Sequence, residues 1–138
     1  MKERFQVEAT ESGYRVLDQA GKVLAIVERR PQAFEFVRDR GGRVQLQWAG
    51  TVIVNQTLSR DFSATHGGSR AGRIMTVISG DQRGSWAWFV NGNDPDTGRG
   101  GSFSGREETK DQAVAQLEAV YTEFIAGADK YGPAKLHG

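Results

Sequence analysis

The sequence predicts an α+β fold, in which an antiparallel β-sheet meander of six to eight strands carries one C-terminal helix packed on a sheet face. Through the first two-thirds of the chain, apolar residues recur at every second position in short runs separated by glycine-rich turns, as in half-buried strands. Near Thr109 the spacing changes to that of an amphipathic helix. The length of 138 residues fits a single domain, and no linker divides it.

The predicted strands are short alternating or apolar runs, at residues 3–9, 14–16, 23–27, 33–37, 43–48, 51–55, 73–79 and 85–91. Gly41 and Gly42 permit the positive φ of a tight turn, so 33–37 and 43–48 are predicted to form a hairpin. Pro31 ends the strand before it, because proline donates no hydrogen bond to a strand ladder. A second hairpin is predicted between 73–79 and 85–91, across a turn that contains two glycines.

The C-terminal helix is predicted over residues 109–127. Its apolar stripe recurs at helical spacing and consists of Ala113, Leu117, Val120, Tyr121, Phe124, Ile125 and Ala128. Thr109, followed three positions later by Gln112, is typical of a capping box at a helix N-terminus. Gly127 or Gly132 can end the helix, and residues 128–138 are interpreted as a tail.

Two polar, glycine-rich segments, 56–72 and 92–108, are predicted to be loops. The single domain 1–138 is therefore divided into a β-meander over 1–91, the loop 92–108, the helix and the tail. In compact domains, connections longer than about 12 residues without secondary structure are usually functional or disordered. Both segments contain arginine, so we expect them to form a binding surface.

Composition excludes several classes of protein. With 38% hydrophobic and 25% charged residues, the chain is typical of a soluble globular protein. No apolar run approaches about 18 residues, so no membrane-spanning helix is expected. The N-terminus has no hydrophobic region of a signal peptide, and a cytoplasmic location is expected. The absence of cysteine excludes disulfides and thiolate metal sites.

The distribution of arginine suggests which residues bind a partner. The formal net charge is only +1, yet six arginines and no lysine lie between Arg60 and Arg106. Arginine carries a planar fork of donors that suits carboxylate or phosphate groups. The proposed binding residues are Arg70, Arg73, Arg83, Arg99, Arg106 and Trp48.

Catalytic signatures are weak. No base is evident beside a nucleophile, and the glycine-rich segment GRGGSFSG lacks the Lys-Ser/Thr pair of a phosphate-binding loop. Asp61, Asp94 and Asp96 are the only clustered acids in loops that a small carboxylate-dependent enzyme would use. A cation site in the Asn- and Asp-rich segment 91–98 is a further alternative, because the side-chain oxygens of this segment suit a hard cation. We therefore predict a protein that is not an enzyme and that uses no cofactor.

Trp86 and Trp88 lie on one face of their strand, opposite Ala87 and Phe89. If the C-terminal helix covers this face, both indoles belong to the core, and this is the arrangement that we predict. If the helix covers the other face, the two indoles form an open stacking platform for single-stranded nucleic acid or for a protein.

The closing third of the chain resembles small accessory proteins of proteobacteria and their phages. The residues that carry the resemblance are Trp86, Trp88, Thr109, Ala113, Tyr121 and Phe124. It implies a small binding or inhibitor protein, of the kind that mobile elements use against host defence proteins, acting here through arginine-bearing loops. Binding of nucleic acid or a nucleotide through the same arginines is the first alternative, and the carboxylate-dependent enzyme is the second.

Overall fold

The computed structural model of the chain describes residues 2–81, 83–93 and 100–127. Within these residues it contains nine strands and two helices. Their order is β1 (Arg4–Ala9), β2 (Tyr14–Leu17), β3 (Val23–Val27), α1 (Arg30–Asp39), β4 (Arg43–Val44), β5 (Gln47–Ile53), β6 (Gln56–His66), β7 (Ser69–Thr76), β8 (Trp86–Asn93), β9 (Gly100–Glu107) and α2 (Lys110–Ala126).

The strands form two sheets, with the orders β3-β2-β1-β4 and β5-β6-β7-β8-β9. All neighbouring pairs are antiparallel except β1 with β4, which is parallel. The C-terminal helix α2 packs on β7, β8 and β9 and also contacts α1 and β4. The predicted α+β class is confirmed, although the described strands exceed the predicted six to eight and form two sheets rather than one meander.

The strand predicted at 33–37 is wrong, because these residues lie in α1. Pro31 stands in the first turn of the helix, where a missing N–H costs nothing. The Gln32 side chain accepts a hydrogen bond from the Arg29 backbone N–H at 3.0 Å and closes the N-terminus. Ala33, Phe34 and Val37 then bury one helical stripe. The proline that was interpreted as the end of a strand is therefore the start of a helix.

The loop predicted at 56–72 is also wrong, because these residues form most of the β6–β7 hairpin. Gly67 and Gly68 make its two-residue turn with φ values of 57° and 84°, which is the conformation that hairpin turns prefer. The strands are polar on one face, and neither described helix packs on that face. This polarity caused the segment to be interpreted as a loop.

The glycine-rich loop predicted at 92–108 is largely β-structure. Strand β8 continues to Asn93, and 100–107 form β9, whereas residues 94–99 lie outside the described part of the chain. A Cβ atom on Gly105 would lie 2.4 Å from the indole of Trp88, so this strand position requires glycine. The glycines of β9 had suggested a loop, but at Gly105 the glycine makes room for the neighbouring tryptophan.

The C-terminal helix agrees with its prediction to within one residue at each end. Thr109 Oγ1 accepts a hydrogen bond from the Gln112 N–H at 3.1 Å, and the Gln112 side chain accepts one from the Thr109 N–H at 3.1 Å. Gly127 adopts the left-handed conformation that ends many helices, with φ of 87°.

The two sheets contain a repeated unit of three antiparallel strands followed by a helix. In the first unit β1, β2 and β3 lead to α1, and in the second β7, β8 and β9 lead to α2. The last strand of each unit is an edge strand, and at the start of each helix a glutamine side chain, of Gln32 or Gln112, accepts a hydrogen bond from the N-cap N–H; only at Thr109 does the N-cap side chain also accept one in return. The two helices pack against each other, so the units share one core.

A buried carboxylate joins α2 to both sheets. The side chain of Glu118 is fully buried and accepts hydrogen bonds from Arg4 Nε at 2.9 Å and Arg4 Nη2 at 2.7 Å. It also accepts hydrogen bonds from the Leu46 N–H at 3.0 Å and Trp48 Nε1 at 3.1 Å. Arg43 Nε lies 2.9 Å from the same group as an ion-pair contact, without the alignment of a hydrogen bond.

The environments of the two arginines at this carboxylate differ. The hydrogen bonds to Glu118 raise the pKa of Arg4, whereas burial lowers the pKa of Arg43. Both guanidinium groups remain charged at neutral pH, because the ordinary pKa of arginine lies far above 7. Two cations therefore converge on one buried anion at the junction of β1, β4, β5 and α2.

Candidate functional site: the outer face of the second sheet

The second sheet has one face covered by α2 and one face on which no helix of the described residues packs, which we name the outer face. Strand β8 shows the division, because Trp86, Trp88 and Val90 are buried whereas Phe89 is 40% exposed. The cross-strand register places on the outer face, in line with Phe89, the side chains of Ser63, Arg73 and Ser104. The predicted burial of both tryptophans is confirmed, and they are not an open platform.

A groove of about 470 Å³ runs across the outer face. Residues from all five strands line it, including Thr51, Ile53, Arg70, Arg73, Phe89 and Ser102. Its volume falls within the range of small-molecule sites in other proteins. Because aliphatic, aromatic, hydroxyl and guanidinium groups all line it, the groove can contact both apolar and anionic parts of a partner.

Arg73, which lines the groove, forms an ion pair with the buried Asp61. Arg73 Nε donates to Asp61 Oδ1 at 2.8 Å, and Nη2 donates to the second carboxylate oxygen. The Thr51 hydroxyl donates to Asp61 Oδ1 at 2.7 Å and lies 2.9 Å from Ser63 Oγ. The bond from Arg73 holds the pKa of Asp61 below its usual value and raises that of Arg73. Most of the binding capacity of Arg73 is thus used within the sheet.

Arg70 is the cation of the groove that remains available. Its side chain is exposed and has no hydrogen bond or ion pair among the described residues. The register also places Arg106 on the outer face, opposite Ala87. Because Asp61 pairs with Arg73, the positive charge that the described groove presents to a partner is that of Arg70, which favours an anionic group.

The structure separates the residues that the sequence proposed for binding. Arg70 and Arg73 line the groove, whereas Arg83 and Arg106 line a second depression near the β7–β8 turn, beside Glu107 and Glu108. Trp48 lies on the opposite face, where it is half-buried and donates to Glu118.

Arg99 lies outside the described residues, as do Asp94, Asp96 and most of the segment considered for a cation.

Sequence reasoning missed Phe89, Met75 and the aliphatic tip of the β5–β6 hairpin. The available signal was the alternation around Trp86 and Trp88, which places Phe89 on the face opposite the tryptophans.

The β5–β6 hairpin ends in an aliphatic turn that borders the groove. Val54 and Asn55 form its two-residue turn, with φ values of 49° and 63°. Val52, Ile53 and Val54 are all exposed, and Val54 is 89% exposed. We name Val52–Val54 the hairpin tip. Val52 and Ile53 line the same groove as Arg70, so the tip and the cation belong to one surface.

Among the described residues, no group of three or more histidine, cysteine or acidic side chains is placed to hold a metal ion. No helix in the same part of the chain is long and apolar enough to cross a membrane.

His66, in β6, is buried against β1 and α1 and does not line the groove. Its Nε2 lies 3.0 Å from the carbonyl oxygen of Val7, and its Nδ1 lies 3.4 Å from Nη2 of Arg30. Because a carbonyl only accepts and a guanidinium only donates, Nε2 carries the proton of a neutral ring. Burial and the nearby charge of Arg30 lower the pKa of His66 to about 4.

We expect His66 to make the free energy of unfolding fall as the pH falls. The folded ring stays neutral down to a pH of about 4, whereas the unfolded chain binds a proton below the ordinary value of 6.5. Acidification from pH 7 to 4 therefore favours the unfolded state, by about 3 kcal/mol from this group.

Urea denaturation at several pH values between 7 and 4 measures this effect. His66→Gln keeps a donor for the Val7 carbonyl but cannot ionise, so its stability should depend less steeply on pH. His137→Gln, the same change at the other histidine of the chain, is the control. An unchanged slope in His66→Gln would show that the ring does not cause the acid sensitivity.

Comparisons of the chain with protein-family models, with curated proteins and with solved structures gave no significant match. Evidence for function must therefore come from the residues and their geometry.

Proposed function

We propose that the protein is a non-enzymatic binding module that holds a partner protein on the outer face of its second sheet. The observation that carries this proposal is that exposed apolar groups and Arg70, an arginine with no partner among the described residues, lie around one groove. Interfaces commonly centre on aromatic, methionine and arginine side chains, which Phe89, Met75 and Arg70 supply here. The binding arginines in the groove stand on a strand, not on the loops that the sequence had suggested.

A protein partner fits the groove better than nucleic acid. Sites for single-stranded nucleic acid stack successive bases on several exposed aromatic rings. In the described groove Phe89 is the one aromatic ring, and the guanidinium of Arg73 is already paired with Asp61. The aliphatic hairpin tip adds apolar surface that has no role in phosphate recognition. These features support the protein-binding proposal over the nucleic-acid alternative.

The resemblance to accessory proteins of proteobacteria and their phages narrows the proposal further. A small protein that binds another protein and catalyses no reaction has the properties of an inhibitor encoded by a phage or another mobile element. On this proposal the partner is a host defence protein, and the interface covers a functional surface of that partner.

An affinity capture from a proteobacterial lysate tests the proposal. We expect the wild-type chain to retain one partner in stoichiometric amount after nuclease treatment, at both about 0.1 M and about 0.5 M salt. The double variant Arg70→Glu/Phe89→Ser should lose that partner, because it reverses the available charge and removes the aromatic anchor. Quantitative mass spectrometry of the captured fractions gives the readout.

The matched control is Lys22→Glu/Ile26→Ser, which makes the same kinds of change on the first sheet. Lys22 and Ile26 are both exposed there. The control should retain the partner. Equal retention by both double variants would place binding elsewhere, and capture that disappears with nuclease or with salt would favour the nucleic-acid alternative.

A further inference from the structure

Backbone strain in the described chain is concentrated in the β5–β6 hairpin. Val54, Asn55 and Arg60 are the described residues other than glycine that have positive φ, and all three belong to this hairpin. Asparagine tolerates the left-handed region, but a β-branched residue such as Val54 is a true outlier there. Strained residues that persist are concentrated at ligand clamps and other functional sites.

The same hairpin is bent. The register between β5 and β6 shifts between Gly50 and Val52, and Arg60 interrupts the facing strand with φ of 55°. Such bulges bend a strand and redirect its side chains. Val52 and Ile53 consequently line the groove together with residues of β7, β8 and β9.

The apolar character of the tip has no explanation in the fold itself. Three consecutive aliphatic residues are exposed, and asparagine or glycine at position 54 would satisfy the turn with less strain. Beside them stands Arg70, without a partner among the described residues. The tip and Arg70 are therefore complementary to a segment that presents aliphatic and acidic side chains together.

We propose that the hairpin tip is the hot spot of the interface, and that it holds an extended, acidic segment of the partner protein in the groove. This inference rests on the proposed function and specifies the chemistry of the partner. Aliphatic side chains of the segment contact all three valine and isoleucine residues of the hairpin tip, Val54 included, as well as Phe89, while its carboxylates pair with Arg70. The strain at Val54 persists because the valine side chain is needed for contact with the partner.

The test uses synthetic peptides of about ten residues that present leucine at alternate positions, as an extended segment would. The residues between the leucines are aspartate, serine or lysine. Each peptide is titrated into the ¹⁵N-labelled chain, and amide shifts are recorded. We expect the aspartate peptide to shift the amides of Ile53, Arg70 and Phe89, and to bind about tenfold more tightly than the serine peptide.

Val54→Asn separates folding from binding. We expect this variant to raise Tm by about 3 °C, because asparagine fits the turn, and to bind the aspartate peptide about tenfold more weakly. Ile26→Asn, a matched change of an exposed aliphatic residue on the other sheet, should bind as the wild type does.

The outcomes distinguish the inference from the proposed function. If shifts map to the groove but Val54→Asn binds normally, or if the serine peptide binds equally well, the inference is overturned and the proposed function stands. If the shifts map outside the groove, both are overturned. A response of the same amides to a thymidine oligonucleotide, with none to the aspartate peptide, would also overturn both in favour of nucleic acid.

Discussion

Glu118→Gln should cost about 3–5 kcal/mol of the free energy of unfolding, because it leaves the buried Arg43 and the partly buried Arg4 without their counter-ion. The amide keeps the shape of the side chain, so the loss reports charge and hydrogen bonding rather than a cavity. Arg4, Arg43, the Leu46 N–H and the Trp48 indole would all face a group that accepts less strongly. Urea denaturation followed by circular dichroism measures the change.

Two further variants make this expectation specific. Glu123→Gln changes a partly exposed residue of the same helix, which pairs with Lys2 at 3.8 Å, and should cost about 1 kcal/mol or less. Adding Arg43→Met to Glu118→Gln removes one of the unpaired cations and should recover part of the lost stability. If Glu118→Gln were as mild as Glu123→Gln, the carboxylate would contribute little to joining the sheets.

Trp88→Ala should also destabilise the chain by about 3–5 kcal/mol, as a large-to-small change in a packed core. The indole is 6% exposed, lies against Gly105 and donates to Glu107 at 3.0 Å. Truncation removes this apolar area and leaves a cavity under α2. Chemical denaturation of the purified variant gives the value.

Phe89→Ala is the matched control for this truncation. It removes an aromatic ring from the next residue of the same strand, but from the outer face, and should cost about 1 kcal/mol or less. Equal losses in Trp88→Ala and Phe89→Ala would contradict the assignment of the two faces. The Phe89 variant should instead weaken binding to the partner.

The parts of the fold that the sequence predicted well depend on local chemistry. The capping box at Thr109 and Gln112, the helical apolar stripe and Gly127 are contained within one element, so α2 was placed almost correctly. The burial of the two tryptophans followed from the large apolar partners that the helix stripe needs. The α+β class followed from these two elements and the alternating strands.

The errors came from residues whose meaning depends on distant contacts. Pro31 is compatible with the end of a strand or with the first turn of a helix, and only the packing of α1 on the shared core decides between them. The polarity of β6 and the glycine at position 105 suggested loops. In the fold they reflect an uncovered sheet face and the space taken by Trp88 on the neighbouring strand.

The candidate site was predicted only in part. Arg70 and Arg73 were selected because of their charge, and the structure brings both to the groove. The sequence did not show that Arg73 is paired whereas Arg70 has no partner among the described residues, because the pairing of Arg73 with Asp61 depends on the register of two strands. The hairpin tip was interpreted as a plain strand, since no sequence pattern shows that Val54 takes a positive φ.

The buried carboxylate on α2 has a consequence for synthesis of the chain on the ribosome. Arg4 and Glu118 are 114 residues apart, and the Glu118 carboxylate also contacts Arg43 and Leu46, at the connection between the two units. All nine described strands precede Glu118 in the sequence, so they leave the exit tunnel before the residue that joins the two sheets. The two sheets therefore cannot complete their junction until α2 has emerged, and in a nascent chain stalled before position 118 the guanidinium groups of Arg4 and Arg43 lack the Glu118 carboxylate.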